Sequence, residues 1–197
     1  MGGPLASLGS ATPQPDVAPL FLAVWPDAAA RAQLAAYRDG WRWPPGARSV
    51  ADDKLHLTLH FIGVFDRARV AALAGALARV TTLPTVLRAD RPEVWRGGIA
   101  VLRLSADAHL LALHGATGDV LHAEGIALDP RPFAPHVTLA RRARGSAAPS
   151  EPAALAWPVR GFTLVESVRA PSARYDVIAS FGGDAGPALE RGGVTPA

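Results

Sequence analysis

The chain has 197 residues, a formal net charge of +3 and 49% hydrophobic residues, which is typical of a folded globular protein and not of a disordered or fibrous one. It contains no cysteine, which excludes disulfides, thiolate nucleophiles and cysteine-based zinc or iron–sulfur sites. No apolar run approaches the roughly 18 residues of a membrane helix, and no basic region followed by an apolar run marks a secretory signal, so we predict a soluble, cytoplasmic protein.

The predicted elements form one domain over residues 18–182, between two tails, 1–17 and 183–197, whose composition predicts disorder. Apolar periodicity, capping residues and turn residues define the elements inside it. The first half contains a strand over 20–25, a helix from Pro26-Asp27 to about Arg38, a loop at 43–46 and a strand at 55–61. A helix capped by Asp66 follows, with Val70, Leu73, Leu77 and Val80 at helical spacing, and then short strands over 84–105 that are broken at Gly97-Gly98. The second half continues with a helix from about Asp107 to Ala123 that ends at Gly125, a strand from 136 after three prolines, and strands over 162–168 and 174–181. This order predicts an α+β chain in two similar halves.

One short pattern occurs twice. His56-Leu57-Thr58-Leu59-His60-Phe61 is followed 80 positions later by His136-Val137-Thr138-Leu139-Ala140-Arg141, so each half carries His-x-Thr-Leu. Both copies fall on predicted strands rich in Leu, Thr, Val and Phe. Two matched histidine–threonine pairs predict a symmetric active site with two histidines.

Strand geometry predicts which of these side chains share a face. Successive residues of a strand point to opposite faces, so His56 and Thr58 lie together, with Leu55, Leu57, Leu59 and Phe61 on the other side. In the second copy His136 and Thr138 lie together, and Arg141 falls on the opposite face unless a bulge or the strand end redirects it. Each strand is thus expected to offer an imidazole and a hydroxyl to a groove.

The other histidines carry no assigned role. Alternation puts His60 on the same face as His56. Two alternatives remain for it: a position at the groove rim in contact with substrate, or a neutral surface position. His56 and His60 are four residues apart, which on a strand is roughly 13 Å and too far for both to bind one metal ion. We therefore predict no metal site. The histidines of the second predicted helix are expected to be solvated: His109, His114 and His122.

These residues resemble a known family, the 2H phosphoesterases, and within it the bacterial RNA 2′,3′-cyclic phosphodiesterases, also called 2′-5′ RNA ligases. The resemblance spans roughly residues 18–182 and is strongest at Lys54–Gly63 and Arg131–Arg141. Weaker matches lie at 20–26, 164–167 and 173–175. It implies a bilobal fold in which two antiparallel β-sheet lobes, related by a pseudo-twofold axis and flanked by helices, enclose a central groove.

The resemblance also implies the chemistry. His56 and His136 would act as an acid–base pair that opens a 2′,3′-cyclic phosphate without a metal or cofactor, leaving a 2′-phosphate. By resemblance, His136 activates water and His56 protonates the leaving oxygen. The same site run backwards would join RNA ends through a 2′-5′ bond without ATP.

Four further residues are assigned to the substrate by this resemblance. Thr58 and Thr138 would bind the non-bridging phosphate oxygens, and Arg141 would contact the phosphate, with a surface ion pair as its alternative. Phe133 would stack on a base or pack under its loop. Tyr175 and Glu166 are expected to be structural.

Two other functions stay open on the sequence. One is a phosphodiesterase acting on small cyclic nucleotides or 2′-5′-linked oligonucleotides. The other is a non-catalytic RNA-binding module, which the presence of both histidines and both threonines disfavours. The expected partners are RNA ends with a 2′,3′-cyclic phosphate or small nucleotides, with no membrane contact, and the simplest oligomeric state is a monomer. Arginine accounts for 19 of the 20 basic residues, which favours phosphate contact, but codon bias is the alternative explanation because the chain is also rich in Ala, Gly and Pro.

Overall fold

The computed structural model describes residues 16–169 and 173–183. The predicted disordered tails lie outside these ranges except for their inner edges. Nine strands and three α-helices make up the described chain: β1 (Val17–Val24), α1 (Ala28–Asp39), β2 (Arg48–Ser49), β3 (Leu57–Asp66), α2 (Val70–Leu77), β4 (Thr85–Trp95), β5 (Ile99–Leu104), α3 (Ala108–Ala123), β6 (His136–Arg141), β7 (Ala156–Val159), β8 (Gly161–Val168) and β9 (Arg174–Gly182).

Aspartates begin two of the helices, as the sequence predicts. The Asp27 carboxylate accepts a hydrogen bond from the amide of Ala30 at the start of α1, at 2.8 Å. Asp107 does the same for Leu110 at the start of α3, at 2.9 Å. Asp66 instead caps a short 3₁₀ turn, and α2 begins only after it. The predicted helix is therefore shorter than expected and ends before Val80.

The strands form one hydrogen-bonded sheet, in the order β7-β4-β5-β6-β3-β1-β8-β9, with β2 paired to β6. All of its pairings are antiparallel, and the α+β class is confirmed. The two halves of the sheet meet at β3 and β6, where a single residue pair, Leu57 with Val137, joins them. The hydrogen-bond path does not divide into separate sheets, so the bilobal arrangement stays a prediction.

The main core fills the space between one face of the sheet and the helices. Leu20, Leu22 and Leu57 from the sheet are buried together with Leu34 of α1 and Leu110 of α3. Burying side chains of this size stabilises the fold by about 1.5–3 kcal/mol each. The opposite sheet face carries a small second cluster of Phe21, Ala23 and Val165. The helices thus cover one face and leave the other for the motif side chains.

The strands expected over 84–105 form a hairpin, β4 and β5, whose loop contains Gly97 and Gly98, both with positive φ, as the turn signal at these glycines predicts. β2, with only two residues, was not predicted. β7 was not predicted, because Pro158 interrupts a run of only four residues. Proline is tolerated there because β7 is an edge strand. No helix in the described part of the chain is long and apolar enough to cross a membrane.

Candidate active site

The two motif copies lie side by side on the two central strands. Leu57 pairs with Val137 in antiparallel register, and each is the residue that follows a motif histidine. One step to either side of that pair, the register sets His56 across from Thr138 and Thr58 across from His136. A local twofold relation between the two His-x-Thr units therefore follows directly from the strand pairing.

The four motif side chains open into one cavity. His56, Thr58, His136 and Thr138 are half-buried, whereas the leucines and valine between them are buried, as alternation predicts. The four line a cavity of about 520 Å³ together with Arg141, and we call this the motif cavity. A second cavity of about 580 Å³ adjoins it and shares Thr58, Phe61 and His136 with it. The site is thus a two-part groove centred on the motifs.

Both motif histidines are held in the same tautomer. Nδ1 of His56 lies 2.7 Å from the carbonyl oxygen of Lys54, and Nδ1 of His136 lies 2.7 Å from that of Ala134. A carbonyl oxygen can only accept, so Nδ1 carries a proton in each ring and donates it. The proton-exchanging nitrogen left for substrate is therefore Nε2 in both histidines.

A bulge follows each motif and reverses the alternation beyond it. In the β1–β3 ladder Leu22 pairs with His60 and Ala23 with Thr58, which leaves Leu59 as the extra residue. In the β5–β6 ladder Ala100 pairs with Ala140 and Val101 with Thr138, which leaves Leu139 as the extra residue. Because a bulge puts two residues opposite one, the next side chain changes face. The bulged leucines occupy matching places in the repeat.

The bulges bring Arg141 and Phe61 to the groove. Arg141 lines the motif cavity. Strict alternation would place its side chain on the opposite face, and the bulge turns it towards the cavity. Phe61 was predicted to join the apolar face, and this prediction is wrong: its side chain is 70% exposed and lines both cavities. Strict alternation does not predict a groove position for Phe61, although Phe61 lies 80 positions before Arg141, the same offset that relates the motifs.

The same reversal buries His60. Alternation placed this histidine on the groove face, but its side chain turns inward and is only 6% exposed. Its Nε2 lies 2.9 Å from the carbonyl oxygen of His114 in α3, and the two imidazoles stack with ring centroids 4.1 Å apart. Burial lowers the pKa of His60, so it is neutral at pH 7. His60 links β3 to α3 and lines the second cavity, but it does not line the motif cavity.

His114 and Phe133 continue this stack. The His114 ring packs on Phe133 with centroids 3.9 Å apart, and burial together with His60 lowers the pKa of His114 to about 4. The expectation that His114 is solvated is wrong, whereas His109 and His122 are exposed as predicted. Phe133 lines the second cavity, not the motif cavity, and His114 covers one face of its ring. A base contact for Phe133 stays a prediction.

His56 lies in an aromatic enclosure. The rings of Trp25, Phe21 and Tyr175 approach its imidazole, with centroids at 4.9, 5.3 and 5.4 Å. Burial among these rings lowers the pKa of His56 to about 4, and the positive charges of His136 and Arg141 act in the same direction, against the bond to Lys54. His56 is therefore neutral at pH 7. Tyr175, expected to be structural, forms part of this enclosure and lines the cavity.

The surroundings of His136 are more polar. Trp95 packs on its ring with centroids 4.3 Å apart, and Nε1 of Trp95 donates to the carboxylate of Glu93 at 2.5 Å. Burial lowers the pKa of His136, and Arg103 lowers it further, while the Glu93 carboxylate and the bond to Ala134 raise it. A carboxylate therefore supports the protonated form of His136, and none acts on His56 in this way.

No metal centre is evident in the parts of the chain that the structure describes, 16–169 and 173–183: no three His, Asp or Glu side chains come together as ligands. Glu166 forms an ion pair with Arg67 at 2.7 Å, in agreement with the structural role expected for it. Lys54 donates to the carbonyl oxygen of Ala173 at 2.7 Å beside the motif cavity.

Relatives with curated names match this chain along most of its length. An RNA 2′,3′-cyclic phosphodiesterase of Thermus thermophilus is 30% identical over 180 residues, covering 82% of this chain and 88% of the relative. One of Geobacillus stearothermophilus is 28% identical over 152 residues, covering 67% of this chain. The matched part makes up only 46% of the Geobacillus protein, so this chain spans about half of that relative.

Solved structures and a family model agree with these relatives. Escherichia coli LigT complexed with 3′-AMP aligns with a TM-score of 0.73 at 28% identity, over 85% of this chain and 98% of that one. TT0787 of Thermus thermophilus aligns with a TM-score of 0.68 at 31% identity, over 83% and 97%. The model of the 2′-5′ RNA ligase superfamily matches residues 25–170, which contain both motifs. The resemblance seen in the sequence is thereby confirmed, and the chain belongs to the 2′-5′ RNA ligase superfamily.

Proposed function

We propose that this protein is an RNA 2′,3′-cyclic phosphodiesterase that opens a terminal cyclic phosphate to a 2′-phosphomonoester. The observation that carries the proposal is the pairing of two His-x-Thr units across Leu57 and Val137, with all four side chains in one cavity. The names of the Thermus and Geobacillus relatives support the substrate class. In reverse, a ribose hydroxyl would replace water and join two ends through a 2′-5′ bond.

The reaction needs two proton transfers and no redox step. Water attacks the phosphorus while one imidazole takes its proton, and the bond from phosphorus to the 3′ oxygen breaks while the other imidazole protonates that oxygen. Both histidines keep Nδ1 bonded to the backbone and have Nε2 available for these transfers. The proposed mechanism therefore includes no metal ion.

The phosphate would be held by the other groups of the cavity. The hydroxyls of Thr58 and Thr138 can donate to the non-bridging oxygens, where negative charge concentrates in the transition state. The Arg141 guanidinium lines the same cavity and is exposed, with no carboxylate partner among the described residues, so it is free to pair with phosphate.

The surroundings of the two imidazoles support an order of roles opposite to the one expected from the resemblance. His56 lies among aromatic rings, and burial there lowers its pKa to about 4, so it favours the neutral state that a base needs. His136 has the Glu93 carboxylate to support its protonated state. We therefore assign water activation to His56 and protonation of the leaving oxygen to His136.

The pH profile of kcat/KM tests catalysis by two histidines. The base is active when neutral, so activity falls as the pH drops through its pKa, and the acid is active when protonated, so activity falls as the pH rises through its pKa. Since both values lie below the ordinary 6.5, with His56 at about 4, we expect a bell with its maximum below pH 6.5. A profile that rises once and stays level to alkaline pH would contradict two-histidine catalysis.

Aromatic surface beside the cavity supports binding of a nucleobase. Phe61 exposes its ring where the two cavities join, and Trp95 and Phe133 line the second cavity. Stacking on such rings is the usual way in which proteins hold unpaired bases. We propose Phe61 as the nearest platform to the reacting phosphate, with Phe133 further along. The monomer and the cytoplasmic location stay predictions from the sequence.

A further inference from the structure

We propose that five exposed arginines beside the motif cavity bind the phosphate backbone of the RNA chain that precedes the reacting end. This inference rests on the proposed function and extends it: the protein would act on an RNA chain in preference to a cyclic mononucleotide. We call these residues the arginine strip, and its members are Arg42, Arg48, Arg96, Arg142 and Arg144.

The strip is built around the end of β6 and the segment after it. On one side, Arg48 of β2 is the direct strand partner of Arg141, and Arg42 exchanges two backbone hydrogen bonds with Ala147, at 3.0 and 3.1 Å. Residues 42–49 therefore run antiparallel to 140–147. Directly paired residues of adjacent strands have Cα atoms about 4.5–5.5 Å apart, so the backbones of Arg48 and Arg141 lie side by side, and Arg42 lies on the same strand segment as Arg48.

The hairpin of β4 and β5 closes the strip on the other side. The Ala143 amide donates to the carbonyl oxygen of Gly98 at 2.8 Å, so the hairpin loop contacts the segment after β6. A Cβ at Gly98 would lie 3.1 Å from the backbone nitrogen of Arg144, so the two backbones approach closely. This contact places the loop that carries Arg96 against the segment that carries Arg142 and Arg144.

The strip has no negative charge of its own. Residues 40–51, 94–106 and 130–150 contain no Asp or Glu but eight arginines. Two of the eight, Arg103 and Arg131, pair with carboxylates from outside these segments. The other six, which are Arg141 and the strip, have no carboxylate partner within the described residues, whereas Arg67 and Arg91 elsewhere have two each. Adjacent like charges oppose folding, so a polyanionic ligand is the natural counterpart of this surface.

Arg142 adds an independent observation. Its φ is 56°, and it is the one residue other than glycine with positive φ in the described chain. Glycine or asparagine adopts this conformation at lower cost, yet the position carries a long basic side chain. Residues held in this conformation cluster at active sites and ligand clamps, which makes Arg142 a candidate binding residue. Arg142 directly follows Arg141, which lines the motif cavity, so the strip continues from the site.

The surface fits a nucleic acid better than a protein or a lipid. Among the exposed large hydrophobic residues in the described chain, Val94 alone falls within 40–51, 94–106 or 130–150, so these segments present no apolar patch. Arginine presents a planar fork that matches phosphate oxygens, and a track of such groups beside aromatic platforms is how single strands are bound without sequence preference. The 3′-terminal nucleotide would occupy the cavity, and the preceding phosphates would follow the strip.

The test compares two substrates that end in the same reacting group. One is an RNA of about ten nucleotides with a 2′,3′-cyclic phosphate, within the usual range of a single-strand binding site. The other is the 2′,3′-cyclic mononucleotide of the same base. The variant carries Arg142→Gln and Arg144→Gln, and the matched control carries Arg79→Gln and Arg88→Gln, two exposed arginines outside the strip. The measured quantity is the ratio of kcat/KM for the RNA to kcat/KM for the mononucleotide, over a range of salt concentrations.

We expect the wild type and the control to have a higher kcat/KM for the RNA than for the mononucleotide. In the strip variant the ratio of the two values should fall about tenfold, because each lost exposed ion pair costs roughly threefold. The logarithmic salt dependence for the RNA should become shallower by about 1.4, at about 0.7 for each lost phosphate contact. An unchanged ratio in the strip variant would overturn the arginine strip while leaving the proposed function intact. If neither substrate is opened, the proposed function fails, and fluorescence anisotropy with the same RNA decides the strip by itself: equal affinity of the wild type and the strip variant would overturn it.

Discussion

Alanine at either His56 or His136 is expected to lower kcat/KM for an RNA with a 2′,3′-cyclic phosphate by about 10²- to 10⁴-fold, because each imidazole supplies one of the two proton transfers. The double variant should lose little more than the worse single variant, since the two groups act together in one step. Steady-state kinetics on the three variants measures both effects.

The matched control for these variants is His109→Ala. His109 is an exposed histidine of α3 outside both parts of the groove, so its loss should leave activity within about twofold of the wild type. Thermal unfolding of each variant shows whether a loss of activity comes from a loss of folded protein. Each motif histidine makes one backbone hydrogen bond, so its removal should lower the free energy of unfolding by about 1 kcal/mol. Near-normal activity of either folded single variant would contradict the acid–base pair.

Valine at Thr58 or Thr138 should have the next largest effect. The substitution keeps the branched shape and removes the hydroxyl, so it deletes one donor to the charge that develops on the phosphate oxygens. Loss of one such donor costs about 10²- to 10³-fold in kcat. Because the two threonines occupy matching positions across the Leu57–Val137 pair, the losses should be similar.

Serine at the same positions is the control for that prediction. Thr58→Ser and Thr138→Ser keep the hydroxyl and remove only a methyl group, so they should retain most of the activity. Equal loss in the serine and valine variants would point to packing as the function of these threonines. Full activity in the valine variants would contradict a phosphate contact, and single-turnover rates distinguish these results from effects on product release.

The sequence alone was sufficient for the position of the four motif residues. Period-two alternation holds from Leu55 to Thr58 and from Val137 to Thr138, so their faces follow from the pattern. The helix caps at Asp27 and Asp107 were likewise predictable, because a capping side chain acts on residues three positions away. Local chemistry fixes these features, and no distant residue is needed to predict them.

The sequence did not reveal the bulges at Leu59 and Leu139, and these decide the rest of the groove. A bulge depends on how a neighbouring strand pairs, which residues far along the chain determine. For that reason the inward turn of His60 and the exposure of Phe61 could not be read from alternation. The repeat itself held a usable signal, since Phe61 and Arg141 share the offset of the motif histidines.

The different surroundings of the two histidines also come from distant residues. Trp25 and Tyr175 enclose His56 from opposite ends of the chain, and Trp95 brings Glu93 near His136 through the β4–β5 hairpin. Such contacts shift a pKa but leave no trace in the motif. The proposed order of acid and base therefore rests on contacts made in the fold.

The most direct test of the central claim is to incubate the protein with a short RNA that ends in a 2′,3′-cyclic phosphate, with and without EDTA, and to map the phosphate in the product. The account predicts a 2′-phosphomonoester formed at the same rate in both samples, because His56 and His136 supply both proton transfers. A 3′-phosphate, no product, or activity lost with EDTA and restored by added metal would contradict it.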